Sequence, residues 1–157
     1  MTPAISELED AGFEYELLQY DHDPSAGSYG DEAVSKLGLN EKSVFKTLMS
    51  ELNTGEFVVC LIPVSSSLNL KAVAKAAGAK RASMADGKVV ERRTGYVLGG
   101  ISPFGQSRRH RTFVEKLALS MNSIYVSAGK RGLELCVVPQ AFAVLLDASF
   151  VTLTNYD

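Results

Sequence analysis

Few residues in this chain have the chemistry to run a reaction, and the most conspicuous are Lys46 and Thr47. They sit in SVFKTLMS among Val44, Phe45, Leu48 and Met49, so the pattern puts an ammonium group into a segment that otherwise reads as buried strand or buried helix edge. Lysine almost never goes fully inside unless something pairs with it, which makes Lys46 the first candidate for a working residue. The remaining sets are weaker. His22 in YDHDP falls at a strand-end turn and His110 in RRHRT is embedded in arginines, and neither has a nucleophile beside it. Both are expected to cap or to face solvent. The three residues of DHD point in different directions, so a turn is a simpler reading than a cation site. Cys60 in FVVCLIP and Cys136 in LELCVVP lie in apolar runs, where small buried hydrophobes are expected rather than a disulfide or an attacking thiolate. No cysteine and histidine spacing suggests a metal, and no cofactor is expected.

Two glycine-rich stretches carry a different chemistry. GYVLGGISPFGQ packs Gly95, Gly99, Gly100 and Gly105 around Ser102 and Pro103, which suits a loop whose backbone approaches a ligand and offers amides to a carbonyl or a phosphate. It is neither a Walker motif nor a dinucleotide fingerprint, because the lysine-serine pair and the G-x-G-x-x-G spacing are both missing. SAGKRG at 127–132 follows a strand pattern. An ordinary hairpin turn and a phosphate contact through Lys130 and Arg131 fit it equally well.

The elements that must position these residues follow from periodicity. Thr2 before Pro3, with Ile5, Leu8 and Ala11 at helical spacing and Gly12 as a stop, predicts a first helix. FEYELLQYD reads as a strand, Asp31 to Leu37 as a short helix closed by Gly38, and VFKTLMS with EFVVCLIPV as a hairpin turning at Asn53, Thr54 and Gly55. NLKAVAKAAGA and MADGKVVERRTG read as helices ending at Gly78 and Gly95. SIYVSA and LELCVVP read as strands, QAFAVLLDA as a helix after Pro139, and FVTLT as a last strand. Such interleaving predicts an α+β fold, a single mixed β-sheet domain with flanking helices. With 157 residues, 46% hydrophobic and 22% charged, one domain over 1–157 is expected, large enough to bury roughly two-thirds of its unfolded surface.

Net charge is only −2, yet it is unevenly spread: residues 1–45 hold ten acids and two bases, whereas 71–116 hold eleven bases and three acids. Lys71, Lys75, Lys80, Arg81, Lys88, Arg92, Arg93, Arg108, Arg109 and Arg111 therefore concentrate a positive field that attracts polyanions, nucleic acid first among them. The N-terminus has no basic region followed by an apolar core, and no apolar run approaches the roughly 20 residues needed to cross a bilayer. A cytoplasmic location without membrane contact is expected.

Read in order, TPA at the start, YDHDP at 20–24, GDEAVSKLGL at 30–39, FKTL at 45–48, LNLK at 68–71, MAD at 84–86, TGYVLGGISPFGQ at 94–106 and IYVSAGKRGLEL at 124–135 resemble the YbaK family. Its members are free-standing relatives of the editing domain inserted in bacterial prolyl-tRNA synthetase. The resemblance spans nearly the whole chain and implies a trans-editing deacylase that clears cysteine mischarged onto tRNA(Pro). It places the family's essential lysine on Lys46 with its threonine on Thr47, and puts the carbonyl-binding loop on Gly99, Gly100, Ile101, Ser102 and Pro103. Tyr20 and Tyr29 fall on aromatic positions near the pocket, Ser127 on the serine before the second glycine loop, and Glu134 on a carboxylate position. Tyr29, Ala128 and Glu134 stand where the family more commonly has phenylalanine, glycine and aspartate.

The same resemblance implies that the substrate's own thiol attacks its ester, without a protein nucleophile. Arg108, Arg109, Arg111, Lys130 and Arg131 are the expected tRNA contacts, and prolyl-tRNA synthetase is the expected helper in selecting the tRNA. Two alternatives stay open: a deacylase for another small amino acid such as alanine on tRNA(Pro), and a non-catalytic module that binds tRNA or a synthetase.

Overall fold

Residues 1–155 are described by a computed structural model. Helix α1 (Pro3–Asp10) is followed by β1 (Glu16–Gln19), α2 (Tyr29–Leu37), the hairpin β2 (Phe45–Leu52) and β3 (Phe57–Pro63), α3 (Leu70–Ala77), β4 (Ala82–Met84) and α4 (Gly87–Thr94). After the glycine-rich segment come β5 (Arg111–Glu115), a 3-10 turn (Lys116–Ser120), β6 (Ile124–Ser127), β7 (Leu133–Val137), α5 (Gln140–Leu146) and β8 (Ser149–Val151). The start of α1 and the glycine stops behave as the sequence predicts, whereas α2 begins at Tyr29 rather than Asp31 and α4 at Gly87 rather than Met84. Thr2 caps α1 through its side chain with Pro3 in the first turn, and α2, α3 and α4 stop at Gly38, Gly78 and Gly95.

The α+β class holds, but the strands form two sheets rather than one. Five strands run β4-β2-β3-β5-β8 and three run β1-β7-β6. Sheet one is mixed, because β2 is antiparallel to β3 and β4 while β5 lies parallel to β3, and β8 parallel to β5. Among the described residues the two sheets are joined through the backbone by one parallel bridge between Val44 and Tyr125, where the Tyr125 N–H donates to the Ser43 carbonyl at 2.9 Å. Pairing goes no further, since β6 then runs with β7 instead of β2.

β3 is buried on both faces, as expected for a central strand with a near-continuous apolar run. Phe45, Met49, Val59, Leu61 and Val114 join Leu135, Phe104 and Phe142 in the larger core. Alternate residues Leu52, Val58, Cys60, Ile62 and Phe113 pack with Val73 of α3 and Leu153 in a second. The two sets of side chains follow the two-residue period of the strands.

Candidate active site

A cavity of about 480 Å³ opens in the fork between the sheets, and its lining includes Lys46, Thr47, Tyr29, Gly99, Ile101, Ser127 and Glu134. Its apolar wall is built by Phe45, Met49, Val64, Val90 and Leu98. One side is the edge of β2. The Leu52 N–H donates to the Glu56 carbonyl and the Val64 N–H to the Val44 carbonyl, both at 2.8 Å, and the β2–β3 register between these ends is unbroken. Even-numbered residues of β2 therefore exchange bonds with β3, and odd-numbered ones direct their backbone groups to the other edge. β4 covers that edge only at Ser50 to Leu52, and Met49 O accepts the Ala85 N–H at 3.0 Å. Thr47 consequently turns its N–H and C=O toward an uncovered strand edge in the cavity.

Polar side chains in this cavity lack the partners that burial normally demands. The Thr47 hydroxyl and Glu134 Oε2 are both buried without a hydrogen-bond partner among the described residues. None of those residues makes an ion pair with Lys46, which is only partly buried. Glu134 stands directly across from Ser127 on β6 and from Leu18 on β1. Burial pushes its carboxyl up to about 8, because the low-dielectric surroundings disfavour the charged form. Tyr20 does not line the cavity itself but lies close enough that burial first, and the Glu134 charge second, raise its phenol.

The glycine loop enters the cavity only in part. Gly99 and Ile101 line it, while Ser102, Pro103 and Phe104 turn into the core, where Phe104 meets Phe142 at 5.0 Å between ring centroids. Ser102 Oγ accepts the Phe104 N–H at 3.3 Å and its carbonyl accepts the Gln106 side chain at 2.9 Å. Gly100 is a close approach between the two glycine loops, since a Cβ there would meet the backbone of Lys130 and Arg131 at 3.1 Å. The loop's buried half thus anchors what its exposed half presents.

The expected tRNA contacts differ among themselves. Lys130, Arg108 and Arg109 are exposed, with Arg109 Nη1 donating to the Leu145 carbonyl at 3.4 Å. Arg111 is engaged within the chain: Nε and Nη2 donate to the two oxygens of Glu56 at 2.8 and 2.7 Å, and Nη2 also reaches the Ala77 carbonyl. Arg131 donates to the Leu98 carbonyl and stacks on Tyr29. His110 accepts from Arg93 Nε at 3.2 Å and so carries its proton on Nδ1, facing Gln106. Burial, then Arg93 and Arg108, depress its pKa. His22 faces the buried Glu32 at 2.6 Å instead of solvent.

Met84, Ala85, Gly87, Val90 and Val64 are cavity residues that reasoning on single side chains did not find. Met84 and Ala85 fall in the MAD stretch before α4, whereas Gly87, Val90 and Val64 carry no such signal. The uncovered edge at Thr47 is a matter of strand order and has no sequence signal at all.

Residues 23–145 match the family model described as an aminoacyl-tRNA editing domain. Over 142 residues, 90% of this chain and 84% of the relative, the sequence is 36% identical to an Enterococcus faecalis protein provisionally named Cys-tRNA(Pro)/Cys-tRNA(Cys) deacylase EbsC. A crystal structure provisionally described as a trans-editing enzyme for prolyl tRNA synthetase superposes with a TM-score of 0.82 at 18% identity, covering 99% of both chains. That of a hypothetical protein superposes at 0.86 and 22% identity over 98% of this chain and all of the other. At these identities the two solved structures speak for the fold alone.

Proposed function

The chain belongs to the aminoacyl-tRNA editing domain family, and from that premise we propose that it is a trans-editing deacylase that releases cysteine mischarged onto tRNA(Pro). One observation carries the reading to chemistry: the unpartnered Thr47 hydroxyl and Glu134 Oε2 share one cavity with Lys46. A cysteinyl ester brings what these groups need. Its carbonyl develops negative charge that the Lys46 ammonium stabilises, and Thr47 orients the ester through its hydroxyl and bare backbone edge. Its α-ammonium, as an opposite charge, brings the Glu134 carboxyl down from about 8 so that the proton leaves and the two pair. Met49, Val90 and Ile101 hold the short side chain away from water.

The attacking atom belongs to the substrate. Its thiol adds to the ester carbonyl, the carbon–oxygen bond to the ribose breaks, and the ribose oxygen leaves with the thiol's proton. A cyclic thioester remains for water to open. The protein's own sulfurs are poor candidates, because burial pushes Cys60 up to about 12 and Cys136 lies outside the cavity lining, facing Ser123. Ser127 Oγ accepts the Gly129 N–H at 3.1 Å, and the two histidines are engaged elsewhere.

Such an enzyme answers a physical need, since a synthetase pocket separates near-isosteres by only ~1–3 kcal/mol. The cavity reads the aminoacyl end, so choice of tRNA falls to contacts beyond it, including a synthetase partner in the cytoplasm. A panel of mischarged tRNAs tests the proposal. The Cys60→Ala, Cys136→Ser double variant should release cysteine from tRNA(Pro) at near the wild-type rate, and wild type should be far slower on Ser-tRNA(Pro), whose hydroxyl is a weaker nucleophile. Equal rates on the seryl ester would exclude attack by the substrate thiol. Preference for alanyl ester would move the specificity to another small amino acid, and silence on every ester would leave a binding module.

A further inference from the structure

Arg131 stands in SAGKRG, where the sequence offers it to a phosphate, yet its side chain is engaged within the molecule. Nε and Nη2 both donate to the Leu98 carbonyl, at 3.0 and 2.6 Å. The guanidinium carbon lies 4.4 Å from the centroid of the Tyr29 ring, within cation–π range. Leu98 and Tyr29 both line the cavity, as does Gly99 between Leu98 and Ile101. Gly99 has φ +90, and a Cβ there would stand 2.6 Å from the Tyr29 ring and 2.7 Å from Arg131 Nε. The first turn of α2, the glycine loop and the β6–β7 turn therefore converge on one planar cation.

We propose that Arg131 is a positioning residue for deacylation, fastening the Gly99 loop against Tyr29 so that the cavity wall opposite the β2 edge keeps its shape. This rests on the deacylase reading. The buried half of the loop is anchored in the core through Ser102 and Phe104. At the cavity end, Gly100 N–H donates to the Val97 carbonyl at 2.9 Å and Leu98 N–H to Glu91 at 2.8 Å, and the Leu98 carbonyl is taken by Arg131. Lysine has the charge of arginine but neither its fork nor its plane, so the role separates cleanly from a phosphate contact, in which charge dominates.

Steady-state deacylation of Cys-tRNA(Pro) by Arg131→Lys, Arg131→Gln, Tyr29→Leu and the Arg131→Lys, Tyr29→Leu pair, at several salt concentrations, tests the clamp. In Arg131→Lys, kcat is expected to fall roughly 10- to 100-fold, the scale of a small misplacement in a preorganised site, with KM and its salt dependence those of wild type. The pair should act as a unit, the double variant lying within about twofold of the slower single variant. Wild-type kcat in Arg131→Lys, with raised KM and a flatter salt slope only in Arg131→Gln, would make Arg131 a phosphate ligand and overturn the proposal. Losses that multiply in the double variant would overturn it as well. Amide exchange at Gly100 gives a readout independent of catalysis: it should quicken in Arg131→Lys, and an unchanged rate would exclude the clamp. A wild-type protein inactive on every ester would instead strike the deacylase reading.

Discussion

Glu115 and Glu134 are buried almost equally, at 1% and 8% exposure, one in each sheet, and the molecule uses them in opposite ways. One oxygen of Glu115 accepts the backbone N–H of Leu153 at 2.8 Å and of Thr154 at 3.1 Å together with the Thr154 hydroxyl at 3.0 Å. The other accepts the Leu117 N–H at 3.2 Å. The carboxylate thus ties the chain after β8 and the 3-10 turn to β5. Glu134 has an oxygen with no partner among the described residues, and its carboxyl is pushed up to about 8. A buried carboxylate saturated from within is a fastening. One that still needs a partner, set in the wall of a cavity, is a group held ready for a ligand.

The sharpest way to break this comparison is to remove the fastening. Glu115→Ala orphans donors that each cost ~1–3 kcal/mol when buried without an acceptor, so its unfolding free energy in urea should drop by about 4 kcal/mol, a large share of what such a domain has. A loss below about 1 kcal/mol would mean that the bonds to Glu115 are replaceable. The cavity should behave in the opposite sense. Lys46→Ala is expected to lower kcat/KM by roughly 10²–10³, the scale of losing one group aimed at developing negative charge, while circular dichroism and the urea midpoint stay at wild-type values. Activity within a few-fold of wild type would remove Lys46 from the centre of the site.

Glu134 yields a prediction in pH. Its folded-state pKa, about 8, lies above the ordinary value of 4.5, so between these the folded protein holds a proton that the unfolded chain has released. Stability from this group is complete below the lower value and is lost as pH rises through the upper one, by about 3 kcal/mol from about pH 5 to about pH 8. Glu134→Gln carries no such proton, so its advantage over wild type should grow with pH across that window, even as deacylation falls. A difference between the two proteins that stays flat with pH would mean Glu134 is solvated.

The smallest effect extends the comparison to the arginines. Arg111 is fastened to Glu56, and Arg111→Gln should cost less than about 1 kcal/mol, as exposed ion pairs do, and leave the salt dependence of tRNA binding unchanged. Replacing Arg108 should flatten that dependence by roughly 0.7–0.9 logarithmic units if it meets one phosphate. Equal slopes for both variants would erase the distinction.

Legibility in the sequence follows the range of the interactions. Thr2 and Pro3 at the start of α1, the glycines ending α2, α3 and α4, and the hairpin at Asn53 to Gly55 are settled within a few residues, and they stand where periodicity and turn chemistry put them. Lys46 was legible for a related reason, because its neighbours along the strand are apolar. β5 was not anticipated: RTFVE follows a run of arginines and finds its partner, β3, only through a long parallel crossover. Residues 84–86, read as part of a helix, enter β4 and the turn after it, because Met84 pairs with Ser50 on the distant edge of β2.

By itself the sequence determined the α+β pattern, the segregation of charge, the isolated ammonium at position 46 and, through ordered motifs along its length, the family. Which groups have partners was decided only by the tertiary structure. LELCV alternates without revealing that Glu134 lies buried and unsatisfied, and a row of arginines does not say that Arg111 meets Glu56 while Arg131 meets Leu98 and Tyr29. Propensity and capping act over one turn or one hairpin. Burial and pairing depend on residues a hundred positions away, and it is burial that sets the charge state of a carboxyl.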